Sequence, residues 1–182
     1  MNESMLKDQD GSQVRLLTRE QLQVLTAAEE GHNLLLSGQA GTGKYFVVNA
    51  IVQRLRRLDR CVVVVCSSGI SCSVFDGTIK SKTVHSYYGL LTADMPSHKV
   101  ISRSLSMPHR LALIKTADVI IWDEAGMSSK RILQFVNKIH KQLDEEDDSN
   151  RKPFGGRQMI LVGEFLQLRP VPNIFDAGDL DV

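Results

Sequence analysis

The stretch GQAGTGKY, Gly38 to Tyr45, is the part of this sequence whose residue types and spacing could do chemistry. Gly38, Gly43 and Lys44 fall at the spacing of a phosphate loop, G-x-x-x-x-G-K. Such a loop turns its backbone N–H groups, and the N-terminus of the helix that follows, toward phosphate, and its lysine reaches the β and γ groups. Gln39, Ala40, Gly41 and Thr42 fill the intervening positions, and Ala40 and Thr42 are small, as close backbone approach to a ligand requires. The eighth position normally bears the short hydroxyl of Ser or Thr, which sits on magnesium; here it is Tyr45. A tyrosine hydroxyl lies at the far end of a rigid ring, so it cannot take that coordination point without displacing helix or loop, unless water replaces the missing ligand. Phosphate binding through the loop and Lys44 is expected to survive this change better than hydrolysis.

Two later stretches could complete a nucleotide site. Asp123 and Glu124 close the run ADVIIWDEA. One carboxylate of such a pair holds Mg²⁺, directly or through water, and its neighbour orients or deprotonates an attacking water. Two acids after a strand also suit a plain helix start. In GEFLQLRPVP, Gly163 to Pro172, the polar Gln167 stands among Phe165, Leu166 and Leu168. Its amide suits a sensor of the γ-phosphate; the competing reading is a structural turn.

The elements that must position these residues are legible from pattern. LTREQLQVLTAAEEG predicts a helix capped by Thr18, with Gln21 three residues on as in a capping box and an apolar face from Leu22, Val24, Leu25 and Ala28. Asn33 to Ser37 predicts a short buried strand, and Tyr45 to Leu58 a helix with Phe46, Val47, Ala50, Ile51 and Leu55 at helical spacing. CVVVVCSS, ADVIIWDEA and QMILVGE are apolar runs suited to central parallel strands. Their alternation with helical segments, SSKRILQFVNKIHKQL among them, predicts an α/β doubly wound parallel sheet with flanking helices, whose ligands sit beyond the carboxyl ends of the strands. TADMPSHKVISRSLSMPHR has two prolines and weak periodicity, and predicts a surface insertion with one short helix. Asp144 to Lys152 reads as a solvated charged loop, with an acidic interaction patch as the alternative.

Composition narrows the class. The chain has 182 residues, 42% hydrophobic and 24% charged, which suits one globular domain. A formal charge of +1 implies no global basic field, so nucleic-acid binding would need a local groove. Cys61, Cys66 and Cys72 are odd in number and form no CxxC pair, which argues against a disulfide framework or a zinc site and for thiols in a reducing compartment. No basic flank precedes an apolar stretch at the N-terminus, and no run reaches roughly 18 apolar residues, so the expectation is a soluble intracellular protein without membrane partners.

LTREQLQVL, GQAGTGKY, SSGIS, TVHSYYG, IIWDEAGM and KPFGGRQMILVGEFLQLRPV resemble, in that order, motifs of the PIF (petite integration frequency) family of superfamily one DNA helicases, relatives of RecD. The resemblance runs from about Leu17 to Pro172. It implies a RecA-like P-loop NTPase fold and ATP with Mg²⁺ as cofactors. By position it makes Gln21 the adenine-reading glutamine, Lys44 the phosphate lysine, Asp123 the metal carboxylate, Glu124 the water carboxylate and Gln167 the coupling glutamine. Ser67, Ser68 and Gly69, with Thr83, His85 and Ser86, fall in segments that in the family track single-stranded DNA; a histidine satisfied in the core is the other reading of His85. Glu164, Arg169 and Ala125-Gly126 depart from the family pattern, as Tyr45 does.

The expected organisation is a polar N-terminal tail at 1–16, a RecA-like ATP-binding helicase lobe at 17–175 and a C-terminal tail at 176–182, with no second lobe. The expected function is the ATP-binding lobe of a five-prime to three-prime DNA helicase acting in repair, recombination and telomere maintenance, in the nucleus or mitochondrion. The alternative is a truncated, catalytically degenerate module that binds nucleotide or single-stranded DNA. A small P-loop kinase or GTPase would leave the Gln21 segment and the GEFLQL turn without a purpose.

Overall fold

The computed structural model describes residues 17–39, 41–75, 79–90, 95–143 and 152–164. Helix α1, Arg19–Glu29, opens with the predicted capping box: the Gln21 N–H donates to Thr18 Oγ1 at 3.2 Å, and the Thr18 N–H donates to Gln21 Oε1 at 3.0 Å. Strand β1, Leu34–Ser37, leads through the glycine loop into α2, Lys44–Arg57. Then come β2, Val62–Cys66, the short α3, Gly69–Ser73, β3, Ser81–Thr83, and α4, Val84–Tyr88. Helices α5, Ser97–Leu105, and α6, Pro108–Thr116, precede β4, Val119–Asp123; α7, Lys130–Leu143, then leads to β5, Gln158–Gly163.

The five strands form one parallel sheet in the order β1-β5-β4-β2-β3. Their side chains alternate between two cores, as a period of two demands. Val62, Val64, Val119, Ile121, Ile160 and Val162 face α1 and α2, whereas Val65, Ile120, Trp122 and Met159 face the side covered by α4 to α7. This is the doubly wound α/β arrangement. No helix among the described residues is long and apolar enough to cross a membrane.

Three expectations change. Strand β1 is not fully buried: among the described residues it lies at the sheet edge, its residues alternate in exposure, and Leu35 is 62% exposed. The proline-bearing middle is no surface insertion with one helix. It supplies α5 and α6, whose Val100, Ile101, Ser104 and Ile114 are buried. Pro96 stands at the N-cap of α5 and Pro108 at the start of α6, positions where a missing N–H breaks no hydrogen bond. Strand β3, only three residues long, has no pattern of its own and exists through its pairing with β2.

The KPFGG stretch is a structural joint. Phe154 and Gly155 have left-handed backbone, φ 53° and 61°, and the Phe154 N–H donates to Asn137 Oδ1 of α7 at 2.8 Å. The Arg157 guanidinium donates to the carbonyls of Ala117 and Gly155, locking the entry to β5.

Candidate functional site

The predicted site residues that fall on described positions gather at the carboxyl edge of the sheet: the glycine loop after β1, with Gln21 of α1 beside it, Ser67 to Gly69 after β2, Thr83 to Ser86 after β3 and Asp123-Glu124 at the end of β4, whereas the KPFGG stretch precedes β5. The register explains the convergence, because Cys66 pairs with both Thr83 and Asp123. Ala40 and Gln167 lie outside the described residues, as does most of the Asp144 to Lys152 run.

The loop needs glycine where it turns. Gly41 and Gly43 both have φ of 82°, in the left-handed region, and Gly43 caps α2 without a side chain. A Cβ on Gly38 would stand 2.8 Å from Thr42 Oγ1, which itself donates to the Gln39 carbonyl at 2.9 Å. Lys44 Nζ donates to the carbonyls of Gly38 at 2.6 Å and Gln39 at 2.9 Å, so the ammonium is held over the loop. The Gln21 amide nitrogen lies beside Gly43, 3.4 Å from where a Cβ would be, while its oxygen serves the Thr18 cap. That places the glutamine at the loop.

Across the loop stand the two acids. Glu124 has left-handed backbone, φ 51°, and caps a 3₁₀ turn, Ala125–Met127. This turn lies against the end of β5, where a Cβ on Gly163 would be 3.5 Å from Glu124 Cα. The glycine that begins GEFLQL therefore lies against the carboxylate turn, a neighbourhood not evident in the sequence. Burial first, and Glu124 second, push the Asp123 carboxyl up to about 6, against a backbone N–H at Glu124 and the charge of Lys44, which pull it down.

A cavity of about 500 Å³ joins these groups and has two unlike sides. Gly41, Gly43, Lys44, Asp123 and Glu124 form the polar side. The other is apolar: the Tyr45 ring packs on Phe75, centroids 5.1 Å apart and tilted 48°, with Ile70 and Val74 alongside. Sequence reasoning flagged Tyr45 but missed these three partners, which belong to α3 and its exit.

The residues expected along a single strand are only partly available. Ser67 Oγ accepts from Trp122 Nε1 at 3.0 Å and shares a 2.8 Å hydrogen bond with Ser128 Oγ. Ser68 and Thr83 accept from the N–H groups of Ser71 and Ser86, capping α3 and α4. Gly69, His85 and Ser86 are exposed, so His85 is not a core histidine, although partial burial of its ring lowers its pKa.

A sequence profile of the PIF1-like helicases matches residues 16–176. ATP-dependent DNA helicase PIF5 of Trypanosoma brucei is 30% identical over 165 residues, which are 88% of this chain and 17% of that protein. The crystal structure of Pif1 helicase from Candida albicans superposes with a TM-score of 0.77 at 29% identity, over 89% of this chain and 35% of that one. A Bacteroides Pif1 in complex with ADP-AlF3 and ssDNA has the same fold, with a TM-score of 0.71 at 23% identity over 91% of this chain and 36% of that one. The chain thus spans about a fifth of the length of the curated relatives it matches. With a family profile covering most of its length and motifs gathered at one sheet edge, the chain belongs to the PIF1-like helicase family.

Proposed function

We propose that this chain is the ATP-binding lobe, residues 17–175, of a five-prime to three-prime DNA helicase. The complete protein would couple ATP hydrolysis to movement on single-stranded DNA in repair, recombination and telomere maintenance, in the nucleus or mitochondrion. The observation that carries the reading is the convergence of Lys44, Asp123 and Glu124 on one cavity beside the glycine loop. It is supported by relatives named ATP-dependent DNA helicases and by a Bacteroides relative described with ADP-AlF3 and ssDNA.

In this reading the loop N–H groups and the N-terminus of α2 receive the phosphates, and Lys44 exchanges its two carbonyl partners for phosphate oxygens. Glu124 orients or deprotonates the attacking water, and Gln167 senses the γ-phosphate. Gln21, placed beside Gly43, reads the adenine. Of the strand-tracking set, the exposed Gly69, His85 and Ser86 offer the contacts, while Ser67, Ser68 and Thr83 hold their segments in shape.

The residues fit magnesium on one side. Asp123, a partly buried carboxylate crowded by Glu124, is a donor whose charge a cation would relieve. The magnesium, when bound, would neutralise charge developing on the transferring phosphoryl group. Unwinding also needs a second lobe, whose arginine accelerates such reactions by about 10³ to 10⁵.

Titration calorimetry with the β,γ-imido analogue of ATP tests the site. Lys44→Ala should abolish binding while leaving the melting temperature close to that of the parent, because Lys44 bonds only to loop carbonyls among the described residues. Undiminished affinity in a folded Lys44→Ala protein would remove the loop as the nucleotide site.

A further inference from the structure

We infer, resting on the nucleotide reading above, that Tyr45 makes binding at this site largely indifferent to magnesium, the nucleotide being held by the glycine loop and Lys44. Tyr45 stands in the first turn of α2, where a hydroxyl would face the metal, and its ring is laid on the buried Phe75. Tyr45 is 39% exposed, and Ile70 and Val74, 84% and 54% exposed, line the same cavity. Three large side chains, mostly apolar, thus line the cavity beside the first turn of α2.

Magnesium demands a near-octahedral set of oxygens and gives up its waters reluctantly, so it usually retains several. An ordered water needs two to four polar partners. The apolar side offers few among its described residues: the Tyr45 hydroxyl, and Ser71, whose hydroxyl shares a 2.8 Å hydrogen bond with Ser68. A water at that position would lack the fixed protein ligand that a Ser or Thr hydroxyl supplies, and Asp123 and Glu124 support a cation from across the cavity. Lys44 keeps its place over the loop independently of position 45, because its ammonium is held by the carbonyls of Gly38 and Gln39. The substitution has separated the two halves of the site, keeping the anion cradle and losing one side of the metal's coordination shell.

The test measures affinity, not turnover. The β,γ-imido analogue of ATP is titrated into the parent chain, Tyr45→Thr and Tyr45→Phe, each with Mg²⁺ and with EDTA, after thermal melts establish that each variant is folded. The parent and Tyr45→Phe should bind with nearly the same affinity in both buffers, because the tyrosine hydroxyl is not a ligand. Tyr45→Thr should bind about tenfold more tightly with Mg²⁺ than with EDTA, the scale of one regained charge-assisted contact. A parent that already gains tenfold from Mg²⁺, or a Tyr45→Phe variant whose response to Mg²⁺ differs from the parent's, overturns the inference. If Tyr45→Thr fails to fold, the parent and Tyr45→Phe decide the matter alone. No binding by the parent in either buffer overturns the nucleotide reading itself, a result distinct from a magnesium response.

Discussion

The sheet divides the molecule into two halves that solve different problems. The face covered by α1 and α2 is mostly aliphatic, with Val48, Ile51, Val52 and Leu55 of α2 packed on Val64, Ile121 and Ile160 and with Phe75 as its buried aromatic. Its helix α2, with α3, opens directly onto the cavity, and it is there that Tyr45, Ile70 and Val74 remain exposed. The opposite face, under α4 to α7, contains the large aromatics Trp122, Tyr88 and Phe135 and closes over them completely. It also buries polar groups: Tyr88 Oη and His140 Nε2 lie 2.9 Å apart, and Ser104 donates to the Tyr88 carbonyl. None of the residues lining the cavity comes from α4 to α7. One face thus presents a ligand site at the expense of closure, and the other provides the rigidity that fixes the strand ends.

That division can be broken by mutation. The largest effect should come from the closed face: Phe135→Ala should cost about 3–5 kcal/mol in urea denaturation, with nucleotide affinity of the folded molecules unchanged. An affinity loss at temperatures where the variant is fully folded would show that the two faces are coupled. Next comes the open edge, where function opposes stability. Because Asp123 titrates near 6 in the folded protein against an ordinary value of 3.8, the folded state keeps a proton that the unfolded chain has released between those values. Stability should therefore fall as pH rises from about 4 to about 6 and level off above. Asp123→Asn should accordingly stabilise the metal-free protein by on the order of 1–3 kcal/mol at pH 8 and by little below pH 4. A variant less stable than the parent at pH 8 would mean that the carboxylate is structurally favourable. The smallest change is at the helix cap. Thr18→Ala should cost about 1 kcal/mol, read as a lowered melting temperature, and an unshifted melt would show that the capping box contributes nothing.

What could be read in advance was local. The capping box of Thr18 and Gln21, the glycine loop opening α2, and the apolar runs of β2, β4 and β5 each declare themselves within a few residues. The failures were nonlocal. Prolines 96 and 108 look like breakers until one knows that each stands at a helix start, and Val100, Ile101 and Ile114 look unremarkable until the sheet lies beneath them. His85 and His140 could not be told apart as exposed and buried, because that depends on which helix face meets the core. The highly specific KPFGG stretch was informative for family, yet its observed work is to join α7 to β5.

The sequence by itself determined the phosphate loop, its tyrosine and the family, because a loop that binds through backbone N–H groups needs glycines at fixed positions, and those are visible as letters. Only the tertiary structure decided that β1 is an edge strand, that Gly163 lies against the Glu124 turn and that Tyr45 lies on Phe75 beside Ile70 and Val74. Strand order and cavity walls arise from contacts between residues far apart in the chain, and no local pattern encodes which distant side chain will complete them.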